Sequence, residues 1–417
     1  MPEDQPPAPA VPSSPGGWFN RNVVGMTITS FLGDAGHEMV TAVLPGFLGS
    51  LGIAAAALGW IEGVSDASSS FVKLGAGWYS DRIGHRKGIV SAGYFLTGTA
   101  LAIFALAVSW PIILLGRVVS WFGRGIRGPL RDAMLSESVS PEMRGKAFGL
   151  HRAGDTLGAV VGPLVGVWLL SVLPHNSESA PFRTIFVLSL VPGLAAVVSF
   201  IVLVQEKRRP ANQHLQLWGA IRDLPKPYVR FLQGVGLFGL GDFSHTLLIL
   251  AATQLLTPTH GAVSATQIAA LLYVLRNVVY AAASFPIGML ADRMDKTKLL
   301  AIGYLLGAGT AVMTAEAFFV ESPGTFPLAP IFACAGAYIA VQDALEGAIP
   351  ADLVRESSRG TAYGLMGTVN GVGDFTASAL VGTLWTMATP TVAFSCSGLV
   401  MLAGTLLLIR NRRVHAS

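Results

Sequence analysis

The sequence predicts an all-α membrane protein of twelve transmembrane helices arranged as two similar six-helix halves. Composition, the spacing of apolar runs and a repeat at about half the length carry that prediction. Of 417 residues, 52% are hydrophobic and only 12% are charged, too few charges to cover a soluble globule of this size. A helical span needs about 20 apolar residues to cross roughly 30 Å of hydrocarbon, and it satisfies its own backbone hydrogen bonds there. The period-two alternation of a membrane β-barrel is absent. The 48 glycines, many at four-residue spacing, suit close helix packing.

In chain order, residues 1–20 are proline-rich and lack both the basic n-region and the cleavage site of a secretory signal, so they read as a disordered cytoplasmic tail. Residues 21–204 form the first six-helix half, with spans near 22–49, 56–78, 88–108, 110–134, 144–173 and 182–204. Residues 205–228 are the one long polar interior stretch, a cytoplasmic linker. The second half, 229–409, has spans near 229–256, 266–291, 298–319, 327–353, 360–387 and 390–409, and 410–417 is a second cytoplasmic tail. Spans longer than 20 residues are absorbed by tilt or projection. Cys334 and Cys396 fall inside spans, and neither a disulfide nor a thiolate metal site is inferred from them.

Basic residues set the orientation. Arg82, Arg86 and Lys87 follow the second span, Arg144 and Lys146 the fourth, and Lys207, Arg208, Arg209, Arg222 and Lys226 lie in the linker. Arg293, Lys296 and Lys298, then Arg355 and Arg359, then Arg410, Arg412 and Arg413 continue on the same side. The opposite turns lack Lys and Arg apart from Arg183. Positive residues stay inside, so both termini are expected in the cytoplasm of a bacterial inner membrane. The net charge of +4 reflects this topology, and no nucleic-acid partner is expected.

Charge inside the spans needs a reason, because an ionisable group at mid-membrane costs roughly 2.5 to 3.5 kcal/mol on insertion scales. The first span contains Gly33-Asp34-Ala35-Gly36-His37-Glu38, and the seventh contains Gly241-Asp242-Phe243-Ser244-His245. Side chains three and four apart share a helix face. The repeated Gly-Asp-x-x-His therefore predicts that Asp34, His37, Asp242 and His245 face one aqueous cavity. Two carboxylates and two imidazoles suit a divalent first-row metal ion, whereas a lone intramembrane histidine is an ordinary packing residue. Arg276 in the eighth span would repel a cation and suits an anionic or zwitterionic organic substrate. Asp343 and Glu346 add cavity charge in the tenth span, and Arg276 also has the option of neutralising Asp242 or Glu346. A desolvated, unpaired carboxylate exchanges protons readily; Asp34 and Glu38 are the first choices.

The halves match in order: Asp34 and Asp242 lie 208 residues apart, Asp81 and Asp292 211, and Arg144 and Arg359 215. Such a parallel repeat places a substrate path between the halves near the membrane midplane. Gly77-Trp78-Tyr79-Ser80-Asp81-Arg82-Ile83-Gly84-His85-Arg86-Lys87 resembles the loop between helices two and three of major facilitator superfamily transporters, and 288–298 resembles a degraded second copy. The resemblance spans essentially the whole chain beyond the tail and implies the major facilitator fold. It also implies a cytoplasmic gate in which Gly77, Asp81, Arg82, Arg86 and Asp132, with Asp292 and Arg293, take part. There a carboxylate such as Asp81 caps a helix of the other half, worth about 0.3 to 1 kcal/mol and up to roughly 2 when partly buried. A short basic loop also serves as a plain topology anchor.

Gly149, Gly158, Gly162-Pro163 and Gly166 resemble the helix-five signature of that superfamily's antiporters, with Val167 replacing the final glycine. A smooth glycine face bent by proline packs closely on a neighbour. Arg124, Arg127 and Arg131 share one face of helix four, and a latch of Arg131 and Asp132 against the loop around Arg86 is predicted. The superfamily's ferroportins, with Asp and His metal ligands, supply an analogy for the metal reading. The sequence has no Gly-x-x-x-x-Gly-Lys-Ser/Thr loop, which disfavours an ATP-driven pump. The reading is a non-enzymatic secondary transporter working by alternating access and proton-coupled efflux. It needs no cofactor and acts as a monomer on a small-molecule or ion substrate and protons. A divalent metal passing through the Asp/His set is the first substrate, and a small amphipathic or anionic organic compound is the alternative.

Overall fold

The structure, a computed structural model, describes residues 17–83, 85–140, 143–174, 176–206, 224–291, 293–320, 325–354 and 359–413. Most of the linker and the outer parts of both tails lie outside these residues. The first half comprises α1 (Arg21–Ser50), α2 (Ala55–Ile83), α3 (Lys87–Ala100) running into a 3-10 turn (Leu101–Leu106), α4 (Trp110–Glu137), α5 (Arg144–Val172), and α6 (Ala180–Leu188) continuing past Ser189 into α7 (Leu190–Leu203). The second comprises α8 (Lys226–Gly239), α9 (His245–His260), α10 (Ala262–Ala291), α11 (Lys296–Phe319), α12 (Thr325–Leu353), α13 (Arg359–Met387) and α14 (Pro390–Arg413). With α6–α7 and α8–α9 each counted as one span, the described residues form twelve spans.

Local signals account for the ends. Asn20 caps α1 by accepting from the amides of Asn22 and Val23, Asp295 caps α11 through the Lys298 amide, and Gly261 ends α9 at φ +74°, a left-handed conformation that favours glycine. Among the described residues, seven spans are long and apolar enough to cross a membrane by length and composition alone. The four long helices outside that set, α1, α2, α4 and α13, carry Asp34 and Glu38, Glu62 and Asp66, four arginines, and Asp374. Those helices need an interior to face.

The seventh span departs from the continuous helix predicted at 229–256. It breaks between Gly239 and His245, where glycines at 239 and 241 weaken the helix and Ser244 starts a new one by capping the Thr246 amide. Protein groups satisfy the freed backbone: Ser397 Oγ donates to the Gly241 carbonyl at 2.5 Å, and the Ser244 amide donates to Ser378 Oγ at 3.0 Å. Such a break survives at membrane depth only where protein or a cavity covers it.

Packing repeats between the halves. In the first, α1 packs on α5 and α7, α4 on α2 and α3; in the second, α8 packs on α13 and α14, α12 on α10 and α11. The halves meet along α2 with α13 and α5 with α10. Close approach there needs small residues: a Cβ on Gly63 would lie 2.8 Å from the Phe375 carbonyl. At the end that bears the basic turns, each half has its own apolar core, around Tyr94 and Phe200 in one and around Tyr228 and Phe238 in the other. At the far end one core is shared, joining Phe47 and Phe186 to Trp385 and Phe394. Among the described residues, hydrogen bonds between the halves link Ala56 to Thr386 (2.9 Å), Gln267 to Val167 (3.3 Å), Tyr273 to Glu38 (2.9 Å) and Asn277 to Ala159 (2.9 Å). All sit in the middle or at the far end.

Candidate functional site

A cavity of about 210 Å³ lies between the halves beside the break in the seventh span. Asp242, Phe243, Ser244 and His245 from the break face Asp66 and Trp121 from the first half. Arg276, Tyr338 and Asp374 complete the polar and aromatic lining. Discontinuous helices at the repeat interface are where transporter binding sites form. A second cavity of about 500 Å³ opens between the halves at the far end, from Pro45 and Gly46 across to Trp385 and Thr386, and no ionisable side chain lines it.

The predicted set Asp34, His37, Asp242 and His245 does not assemble as metal ligands. Among the described residues, no group of three or more His, Cys, Asp or Glu side chains is placed to hold a metal ion. The reason is that each acid turns toward the fourth helix of its own half. Asp34, almost fully buried, meets Arg124 at 3.3 Å and Arg127 at 3.5 Å. Asp242 accepts from the Tyr338 hydroxyl and, at 3.3 Å, from Gln342 on α12. The two turns also differ in shape, since Asp34 and His37 share a continuous helix while Asp242 sits in the break. His37 packs edge-on against Trp121 at 5.7 Å. His245 stacks on Tyr273 at 5.1 Å with its Nε2 buried and unpartnered.

Glu38 accepts from Tyr273 across the halves at 2.9 Å, and neither it nor Asp34 lines the cavity. Of the predicted cavity charges, Arg276 is in the lining; Asp343 is exposed and accepts from Tyr280 at 2.8 Å. Glu346 is buried behind the cavity wall, accepting from Tyr304 and Asn370 at 2.6 Å each. Phe238 stacks on Tyr304 at 3.6 Å and closes that network. Tyr338, Gln342, Tyr273 and Trp121 are absent from the sequence reading because aromatic and amide residues in apolar runs look like ordinary packing. Only the duplicated aspartate hinted that a partner was required nearby.

The arginines of α4 have structural duties. Arg117 and Glu62 are both fully buried and meet at 3.0 Å, and Arg117 also donates to Thr41 at 3.0 Å. Arg127 lies over the Tyr94 ring at 4.3 Å. The predicted latch takes another form: Arg131 pairs with its neighbour Asp132 at 2.9 Å and donates to Ser30. Arg86 meets Glu137 at 2.5 Å, and its amide donates to Glu206. Arg293 is exposed. The surroundings of Gly77, the side chains of Asp81 and Arg82, and the whole of Asp292 lie outside the described residues.

The helix-five glycines form a closer stripe than predicted. Gly154, Gly158, Gly162 and Gly166 lie against Thr27, Phe31, Ala35 and Met39 of α1, with Pro163 buried beside them. A Cβ on Gly158 would stand 2.5 Å from the Phe31 carbonyl. Gly149 is not part of this contact, because a Cβ there meets nothing within 4 Å.

Twelve spans in two repeated halves, with a polar cavity between them at a broken helix, define a polytopic membrane transporter. The comparisons agree. The Major Facilitator Superfamily family model matches residues 26–252 and 234–417, and the chain belongs to that superfamily. It is 31% identical over 390 residues to an uncharacterized MFS-type transporter of Methanocaldococcus jannaschii, covering 94% of this chain and 95% of the relative. It is 35% identical to multidrug resistance protein MdtH of Cronobacter sakazakii over 124 residues, 30% of this chain and 31% of that one. Among solved structures, nucleoside transporter NupG superposes with a TM-score of 0.71 at 12% identity, covering 93% and 98% of the two chains, which is a likeness of fold.

Proposed function

We propose that the protein is a secondary active transporter that exports small amphipathic organic compounds in exchange for protons. The observation that carries this reading is the cavity itself, whose lining combines Asp242, His245 and Arg276 with Trp121, Phe243 and Tyr338. Small-molecule sites take this form, mostly apolar walls with a few placed polar groups. The metal reading loses its support with the dispersal of its ligands. The partial match to a multidrug resistance protein favours organic cargo. Asp242, at the cavity surface, is better placed for proton exchange than Asp34 or Glu38.

The distribution of basic turns supports both termini in the cytoplasm of the inner membrane. Apolar cores that are separate at that end and shared at the other support a state whose cleft opens to the cytoplasm. The test is dye accumulation in a bacterial strain stripped of its own exporters. Expression lowers accumulation of amphipathic dyes, a protonophore abolishes the effect, and Asp242→Asn removes it. Unchanged accumulation across a dye panel refutes efflux. Metal tolerance that rises on expression and is lost in Asp34→Ala and His245→Ala would restore the metal reading.

A further inference from the structure

We infer that the cargo of the central cavity is an organic cation, an ammonium or related group on an apolar or aromatic body, whose charge is received by Asp242 and Asp374. The inference rests on the transport reading above and narrows its substrate class. The cavity is walled by three carboxylates from three elements: Asp66 on α2, Asp242 in the broken span and Asp374 on α13. Against them stands one guanidinium, Arg276, which is already engaged. It donates to Asn277 at 2.9 Å and lies 5.6 Å above the Tyr273 ring.

Among the described residues, no ion pair within 4.0 Å reaches Asp66, Asp242 or Asp374, whereas Asp34 and Glu62 in the first half are each answered by arginine. Lys73 on α2 is exposed and lies two turns from Asp66 toward the basic end. Charge is therefore matched in the packed interior of one half and left over on the cavity wall. Half-buried carboxylates at this depth with no close ion pair are costly. A visiting cation supplies what the protein omits, whereas an anion meets three like charges.

One further feature fits a cation on an apolar or aromatic body. Phe243 and Tyr338 add aromatic groups to the lining, and ring faces attract cations. The Trp121 ring, also in the lining, already has Arg124 over it at 5.3 Å.

The experiment is calorimetric titration of the purified full-length protein with three ligands alike in shape: benzyltrimethylammonium, its uncharged carbon isostere neopentylbenzene, and phenylmethanesulfonate. The cation binds, and the other two bind at least about tenfold more weakly. Asp242→Asn and Asp374→Asn each weaken cation binding by roughly tenfold, Asp242→Glu retains it, and Arg276→Gln strengthens it. Melting temperatures close to that of the unaltered protein keep these variants interpretable. Preference for the sulfonate or the uncharged ligand, or unchanged affinity in both asparagine variants, overturns the cation assignment and leaves the transport reading standing. Absence of saturable binding by all three overturns both.

Discussion

Replacing Glu62 by glutamine tests whether charge in the first half is architecture or site. Arg117 and Glu62 are each 0% exposed, with nitrogen and oxygen 3.0 Å apart. At that separation the attraction is about 5 kcal/mol at an effective dielectric near 20, much of it offset by the desolvation of both ions. Removing one partner does not remove the other's desolvation. Arg117 would remain buried with Thr41 and a neutral amide, and its Nε already lacks a partner. The expected loss is roughly 3 to 5 kcal/mol, read as a lower melting temperature of the detergent-purified protein. The double variant Glu62→Met with Arg117→Met removes both charges at similar volume and should recover most of that loss. Glu62→Gln melting with the unaltered protein would refute the reasoning, as would a double variant less stable than the single one.

Two other perturbations separate packing from binding. Gly158→Ala places a methyl against backbone atoms of α1, 2.5 Å from the Phe31 carbonyl and 3.0 Å from the Ala35 amide; overpacking of about 1 to 3 kcal/mol exceeds the roughly 1 kcal/mol gained in helix propensity, a net destabilisation. Gly149→Ala meets nothing within 4 Å and should stabilise by about 0.5 to 1 kcal/mol, so melting shifts of the same sign in the two variants count against the α1–α5 stripe. Asp34→Asn leaves Arg124 and Arg127 facing an amide and should cost on the order of 3 kcal/mol while cation binding at the cavity persists. A variant that melts normally but binds nothing would return Asp34 to the site.

The fold was legible because membrane insertion writes itself into composition. Apolar runs, one-sided basic turns and the repeat at Asp34 and Asp242 can be read without tertiary information, although among the described residues only seven spans are apolar enough to cross a membrane by length and composition alone. The site was only half legible. Asp242, His245 and Arg276 stood out as residues whose charge or hydrogen-bonding capacity required a reason, and all three line the cavity. Asp34 stood out for the same reason, yet its reason is a pair of arginines on α4. Gly149 fitted the helix-five spacing but lies off the contact that the four-residue stripe makes with α1.

The sequence by itself determined the membrane class, the duplication and the presence of charge within the spans, because composition and order are read residue by residue. Which charges cancel and which remain open to cargo was decided by the tertiary structure. A carboxylate's partner is set by which helix packs against it and by whether the backbone runs on or breaks. The turn at Asp34 is continuous and faces arginines; the turn at Asp242 is broken and faces Tyr338, Gln342 and the cavity. A nearly identical local pattern thus became an internal brace in one half and a wall of the central cavity in the other.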